Sequence, residues 1–172
     1  MPLHAAPAAG FDEPFELMGA CHERLTRTLD LLARLGAHLA DQGCDAQARD
    51  AARDVLRYFT IAAPLHHEDE ERHVLPRLRA QGRSALADRL QADHRVMTSS
   101  WAEIAPELAA IRDGTFDVRA LTAARARWAA FAALHEDHIE AEEAEAYPVA
   151  SAAMPEADLR DIGQEMAARR RS

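Results

Sequence analysis

Seven glycines in 172 residues leave few points at which the backbone could readily abandon a helix, since glycine is among the poorest helix formers. Aromatic residues supply only 5% of the chain, which removes much of the residue stock that strands favour. The two cysteines, Cys21 and Cys44, show neither Cys-x-x-Cys nor zinc-finger spacing. Cys21 sits beside His22, where a redox role is conceivable, but it reads first as a small buried or half-buried residue. No apolar run approaches the length of a bilayer span. The start, Met1-Pro2-Leu3-His4-Ala5-Ala6-Pro7, lacks the basic and long apolar regions of a signal peptide. Residues 1–11 are therefore expected to form a flexible arm on a cytoplasmic protein. Clustered positive charge is scarce as well. The net charge is −9, whereas contacts to a phosphate backbone need grouped Lys and Arg. Neither nucleic acid nor membrane is an expected partner. Arg169-Arg170-Arg171 is the one basic cluster, and it reads as a frayed, solvated end.

What the chain does hold is abundant Ala, Leu, Arg and Glu, the composition of an all-α protein. Asp12, with Pro14 in the first turn, is expected to cap a helix that runs to about Asp41 before Gly43. A second helix should start near Asp45 and end near Arg79. Ser84 should cap a third, which reaches Ile111 and stops before Gly114. Asp117 should cap a fourth, which ends around Tyr147-Pro148. A shorter segment from Pro155 to about Ala168 carries Leu159, Ile162 and Met166 at helical spacing. The links between the four long helices are a few residues each, and short links force antiparallel neighbours. The expected fold is an up-down-up-down four-helix bundle over residues 12–150, followed by a C-terminal helix and basic tail over 151–172. Pro64 and Pro106 fall inside helices and imply a kink or break at each.

Two segments share an unusual order: His66-His67-Glu68-Asp69-Glu70-Glu71 ahead of Pro76, and His138-Ile139-Glu140-Ala141-Glu142-Glu143 ahead of Pro148. Residues four apart on an α-helix point the same way, about 6 Å up the axis. Each segment can thus offer one imidazole and one carboxylate to a common centre. The two motifs lie 72 residues apart, and so do the solitary histidines His22 and His94. The same shift superimposes Leu25 on Met97, Leu29 on Trp101, Phe59 on Phe131 and Pro76 on Pro148. The chain reads as a duplicated helical hairpin. Each half gives a lone histidine on its first helix and His-x-x-x-Glu on its second.

All six residues fall on the interior stripes of their helices, where an unpaired polar group would be costly. Imidazole and carboxylate without thiolate suit iron, manganese or zinc. Four histidines and two glutamates exceed what one tetrahedral zinc needs, so a dinuclear centre fits better. Its carboxylates would offset the charge of two divalent ions in an apolar bundle. Coordination positions would remain for water, a bridging oxide, O₂, NO or peroxide.

These segments resemble the hemerythrin-like, or HHE cation-binding, family, over roughly residues 12–150. The resemblance implies that His22, His66, Glu70, His94, His138 and Glu142 are metal ligands, with Glu70 and Glu142 bridging. It also implies two non-haem iron ions, carboxylate-bridged and oxo- or hydroxo-bridged. Oxygen-carrying hemerythrins have a fifth histidine one turn after the ligand on helix three, where this chain has Thr98. They use His-x-x-x-x-Asp on the last helix, where this chain has His-x-x-x-Glu. Both departures move it towards four-His, two-Glu members that resemble iron–sulfur repair and nitric-oxide-responsive proteins. The function implied is binding or sensing of O₂, NO or a related redox molecule. Reduction of peroxide or NO, and iron storage or delivery for cluster repair, are the alternatives. No acid–base pair beyond the six residues stands out, so turnover is left open.

Other polar residues have plainer readings. His67 should point a quarter turn away from His66, to the surface. His135 lies one turn before His138 on the same stripe, as a fifth ligand, an orienting donor, a proton relay or a satisfied core histidine. His73 forms Glu-x-x-His with Glu70, a ferritin-like signature, but position 145 is glutamate and the motif occurs once. Glu68, Asp69, Glu71, Glu140 and Glu143 read as a solvated face, with room for one to orient a ligand histidine. His4 and His38 read as surface, and Trp101 and Trp128 as core. Tyr58 would approach the centre only if Pro64 re-aimed helix two.

Overall fold

The computed structural model describes residues 10, 11 and 13–171. The expected cap Asp12, His4 and most of the predicted arm lie outside the described residues. Helix α1 is Pro14–Gln42, α2 covers residues 46–80, α3 is Ser84–Asp113, α4 covers 118–152 and α5 is Glu156–Arg169. No strand occurs among the described residues. The fold is an all-α antiparallel four-helix bundle with an added C-terminal helix.

Local chemistry sets the ends. The Asp45 side chain accepts from the Ala48 N–H and starts α2, and Asp117 does the same for Arg119 at the start of α4. Gly43 and Gly114 close α1 and α3 with φ of 75° and 74°, a region that favours glycine. Ser84 is not the cap that its residue type suggested. It is the first residue inside α3, and Arg83 holds the cap position without a side-chain bond.

The prolines widen the helices instead of breaking them. In α2 and α4 three turns are π-helical, at Tyr58–Ala62, Glu70–Val74 and Glu142–Ala146. Their i→i+5 bonds run from the N–H groups of Ala63, Leu75 and Tyr147 to the carbonyls of Tyr58, Glu70 and Glu142. Each donor immediately precedes a proline: Pro64, Pro76 and Pro148. A proline inside an α-helix has no N–H to give and its ring presses on the carbonyl four residues back. One extra residue in the turn relieves both problems, and α4 continues past Pro148 to Ala152, beyond its expected end. Pro106 sits inside α3, which stays α-helical around it, so of the expected kink or break the break does not occur.

Two apolar clusters fill the bundle. One is built on Leu25, Leu32, Val55, Phe59, Ile104, Leu108, Trp128 and Phe131. The other holds Met18, Leu75, Leu78, Leu90, Ala150 and Met166. Between them lies a polar layer. Helix α5 packs along α1 and α2. It supplies Met166 to the second cluster and pairs Arg77 with Asp158 at 3.1 Å and His73 with Glu165 at 2.7 Å. The ferritin-like reading of His73 is thereby replaced by a hydrogen bond to Glu165. No helix among the described residues is long and apolar enough to cross a membrane.

Candidate metal centre

The polar layer consists of His22 from α1, His66 and Glu70 from α2, His94 from α3, and His138 and Glu142 from α4. None is more than 3% exposed. The structure brings all six of these sequence-predicted residues together. Their ligand atoms form two overlapping groups, His22–His66–Glu70–Glu142 and Glu70–His94–His138–Glu142, with all atoms in each group within 4.8 Å of one another. Both glutamates belong to both groups. The Nε2 atoms face the shared carboxylates: His22 lies 3.2 Å from Glu142, His66 3.2 Å from Glu70, His94 3.3 Å from Glu70 and His138 3.0 Å from Glu142.

The outer nitrogens explain why Nε2 points inward. The Nδ1 of His22 donates to Glu143 at 3.0 Å, that of His94 to Glu71 at 3.0 Å, and that of His138 to Asp93 at 3.2 Å. A carboxylate can only accept, so it fixes the ring orientation and leaves the inner nitrogen available. Glu71 and Glu143 lie on the solvated face expected of them, 40% and 53% exposed, and both of them, not one alone, orient centre histidines. They too stand 72 residues apart, so the orienting carboxylate is part of the repeat. Asp93 is not, since its counterpart is Cys21. The Nδ1 of His66 is buried and without a hydrogen-bond partner among the described residues.

Tyr147, like Asp93, is a site residue that sequence reasoning missed. Its ring stacks on His22 at 5.3 Å, and its hydroxyl donates to Glu70 while lying 3.1 Å from the Nε2 of His22. The signal was its place ahead of Pro148. Tyr147 follows Glu142 by five residues, and the π turn brings that spacing back to one face. Its counterpart one repeat earlier is Leu75, so comparison of the halves could not find it. Tyr58, by contrast, donates to the Cys21 carbonyl at 3.2 Å, away from the centre.

Electrostatics follow from burial and charge pairing. Burial works against charge on His22 and His94, but hydrogen bonds to the shared glutamates outweigh it and lift them to about 10 and about 9. Glu70 is held well below the usual carboxylate range, because the surrounding imidazoles outweigh its own desolvation. Burial, helped by the two glutamates, pushes the Tyr147 phenol well above its ordinary value, so it stays protonated.

Does this layer fit a metal? Both oxygens of Glu142 and one of Glu70 are fully buried and make no well-aligned hydrogen bond among the described residues. They meet only imidazole nitrogens, at 3.2, 3.0 and 3.3 Å, a crowding of buried ligand atoms that a cation would satisfy. The inner nitrogens of His94 and His138 face each other at 3.0 Å. Nitrogen and oxygen donors with no thiolate match a cation of the iron, manganese or zinc class. The residues fit. Ligation requires neutral imidazole, so metal must displace the protons that His22 and His94 hold at pH 7. Loading the metal-free protein with Fe²⁺ in weak buffer at pH 7 is expected to release protons from His22 and His94, with a further share from His138, which Glu142 also raises against its burial, read with an indicator dye. Affinity should rise with pH towards the range of their raised pKa values.

Two further histidines surround the layer. His67 is not on the surface: it is half-buried and stacks on His94 at 4.2 Å. Burial, then the neighbouring His94, pushes its pKa well down. His135 is buried, with Nδ1 donating to the Phe131 carbonyl at 2.8 Å, and burial lowers it to about 4. Beside Glu70, Asp69 is fully buried and ion-paired with Arg169 and Arg170. The basic tail is therefore docked, not frayed, and Asp69 is not on a solvated face.

Among known proteins, an uncharacterized protein of Haemophilus influenzae is 31% identical over 102 residues, which covers 58% of this chain. The chain spans 59% of the length of that relative. The family profile described as the hemerythrin HHE cation binding domain matches residues 13–150, the stretch that contains the whole polar layer. This chain belongs to the hemerythrin HHE cation-binding family.

Proposed function

We propose that the chain holds two iron ions across Glu70 and Glu142, with His22, His66, His94 and His138 as the remaining protein ligands, and that it binds or senses a small redox molecule such as O₂ or NO. The observation that carries this reading is the sharing of both glutamates by two four-residue groups. Bound iron would supply one-electron redox change and open coordination positions. The chain's own residues do the rest. Glu71, Glu143 and Asp93 hold three imidazoles in the ligating tautomer. The apolar clusters on either side keep bulk water from the carboxylates.

Tyr147 favours a second reading, in which the same centre reduces peroxide or NO. Its protonated hydroxyl beside Glu70 and His22 is a fixed hydrogen-bond donor inside the layer. Tyr147→Phe tests its part. The charge-assisted bond to Glu70 is worth about 2 kcal/mol, so the metal-free variant should melt several degrees lower. Metal content should stay at the wild-type value while reactivity with peroxide falls.

The reading is tested by metal content and the absorption spectrum of protein from iron-supplemented cells, then by rapid mixing with O₂, NO and H₂O₂. Two irons per chain, one for each four-residue group, and a stable reversible adduct support binding or sensing. Sustained consumption of the added molecule indicates an enzyme. Iron passing to a chelator on mixing indicates delivery. One zinc, or no metal after supplementation, overturns the di-iron proposal.

A further inference from the structure

A cavity of about 600 Å³ opens beside the centre and shares His94 with it. It is far larger than any diatomic requires, given that a water molecule occupies about 30 Å³ in the liquid. Its volume falls in the range of pockets that hold organic ligands, about 300–1,000 Å³. The walls are mostly apolar, with Phe59, Met97, Trp101 and Phe131 prominent. Trp101, expected in the core, is only partly buried and lines this space.

His135 also lines the cavity, and it is 1% exposed. The Phe131 carbonyl can only accept, so the 2.8 Å bond to Nδ1 places the ring proton there. In the neutral ring Nε2 then carries a bare lone pair, and it has no partner among the described residues. A buried acceptor in an apolar wall is costly until a donor meets it. The duplication isolates this feature. Residues 72 positions earlier show Ala63 for His135, and 72 positions later Ile139 for His67, so neither histidine belongs to the repeated metal set.

We infer that this cavity binds a small, largely apolar organic molecule carrying one O–H or N–H donor, which it gives to Nε2 of His135. The inference deepens the proposed function and rests on it for the statement that the bound molecule lies beside metals. A molecule anchored there would sit across His94 from the centre, with its apolar body against Phe59, Met97 and Trp101.

Phenol and toluene share a body and differ in the donor, and both can be titrated calorimetrically into the full-length, metal-loaded protein. Replacing His135 with phenylalanine should lower the phenol-to-toluene affinity ratio about tenfold, the worth of one hydrogen bond of about 1.4 kcal/mol. Met97→Trp, which fills the cavity, should weaken both ligands at unchanged metal content, and it decides the matter if the His135 variant fails to fold. An unchanged ratio in His135→Phe, or no binding of either probe to wild type, overturns the inference. So does a phenolate-to-metal absorption band, which would put the hydroxyl on the metal instead of His135. Metal is counted on the same samples. The expected ratio in protein that takes up no iron would sustain the cavity and overturn the di-iron reading, and the reverse result would do the opposite.

Discussion

Glu142→Ala is expected to abolish dinuclear loading. Glu142 belongs to both four-residue groups, and its two oxygens lie within 3.2 Å of His22 and His138 on opposite sides of the layer. Alanine leaves three candidate ligands in each group and removes one of the two charges that would offset the metals. Elemental analysis should show metal falling from about two ions per chain to one or none. The metal-free protein should also suffer. Without Glu142, the raised pKa of His22 loses its largest support, while Glu143 and Glu70 still face the ring, so the loss is that of one charge-assisted bond, about 1.5–3 kcal/mol. Glu142→Gln separates the two effects, since it keeps volume but not charge: it should fold better than the alanine variant and still fail to load the pair. His67→Ala is the control and should retain wild-type metal. Full loading of Glu142→Ala with two irons would show that this residue does not bridge.

Asp69→Ala should give the largest loss of stability away from the metal layer. Asp69 is fully buried, and Arg169 and Arg170 of the C-terminal region close on it while themselves only 15% and 23% exposed. Substitution leaves two guanidinium groups facing a buried gap. The cost is about 3 kcal/mol, and for a domain of this size a melting point about 10 °C lower. Removing the carboxylate releases the end of α5 from α2, so hydrogen exchange should accelerate across α5 before it does so elsewhere. Arg169 also meets Glu165 and Glu68, so Arg169→Ala should cost less than the loss of Asp69. Equal melting points for wild type and Asp69→Ala would show that α5 is held by its apolar face alone.

The bundle was legible because helical periodicity and short links are properties of the sequence itself. The six centre residues were legible because a fixed repeat of 72 carries each half's pattern onto the other. What escaped lies where the two halves differ or where the helix departs from 3.6 residues per turn. Tyr147 has Leu75 as its counterpart and reaches the centre only through a wider turn. His67 was placed by an ideal helical wheel, which cannot see a cavity at the seam between helices. Asp69 looked solvated because its partners lie about a hundred residues away, on a helix whose docking site the sequence did not reveal. The prolines carried information of another kind: a breaker in a long apolar pattern marked a widened turn, and two of the three such turns begin at Glu70 and Glu142.

The sharing of both glutamates has a bearing on ancestry. Neither hairpin contains a complete group, since the first contributes His22, His66 and Glu70 to one and only Glu70 to the other. A gene encoding a single hairpin could have made this centre only by pairing two identical copies, each lending its glutamate to its twin. Joined in one chain, the two copies are free to differ, and around the centre they do so at Asp93, His135 and Tyr147, all in the second hairpin, opposite Cys21, Ala63 and Leu75 in the first.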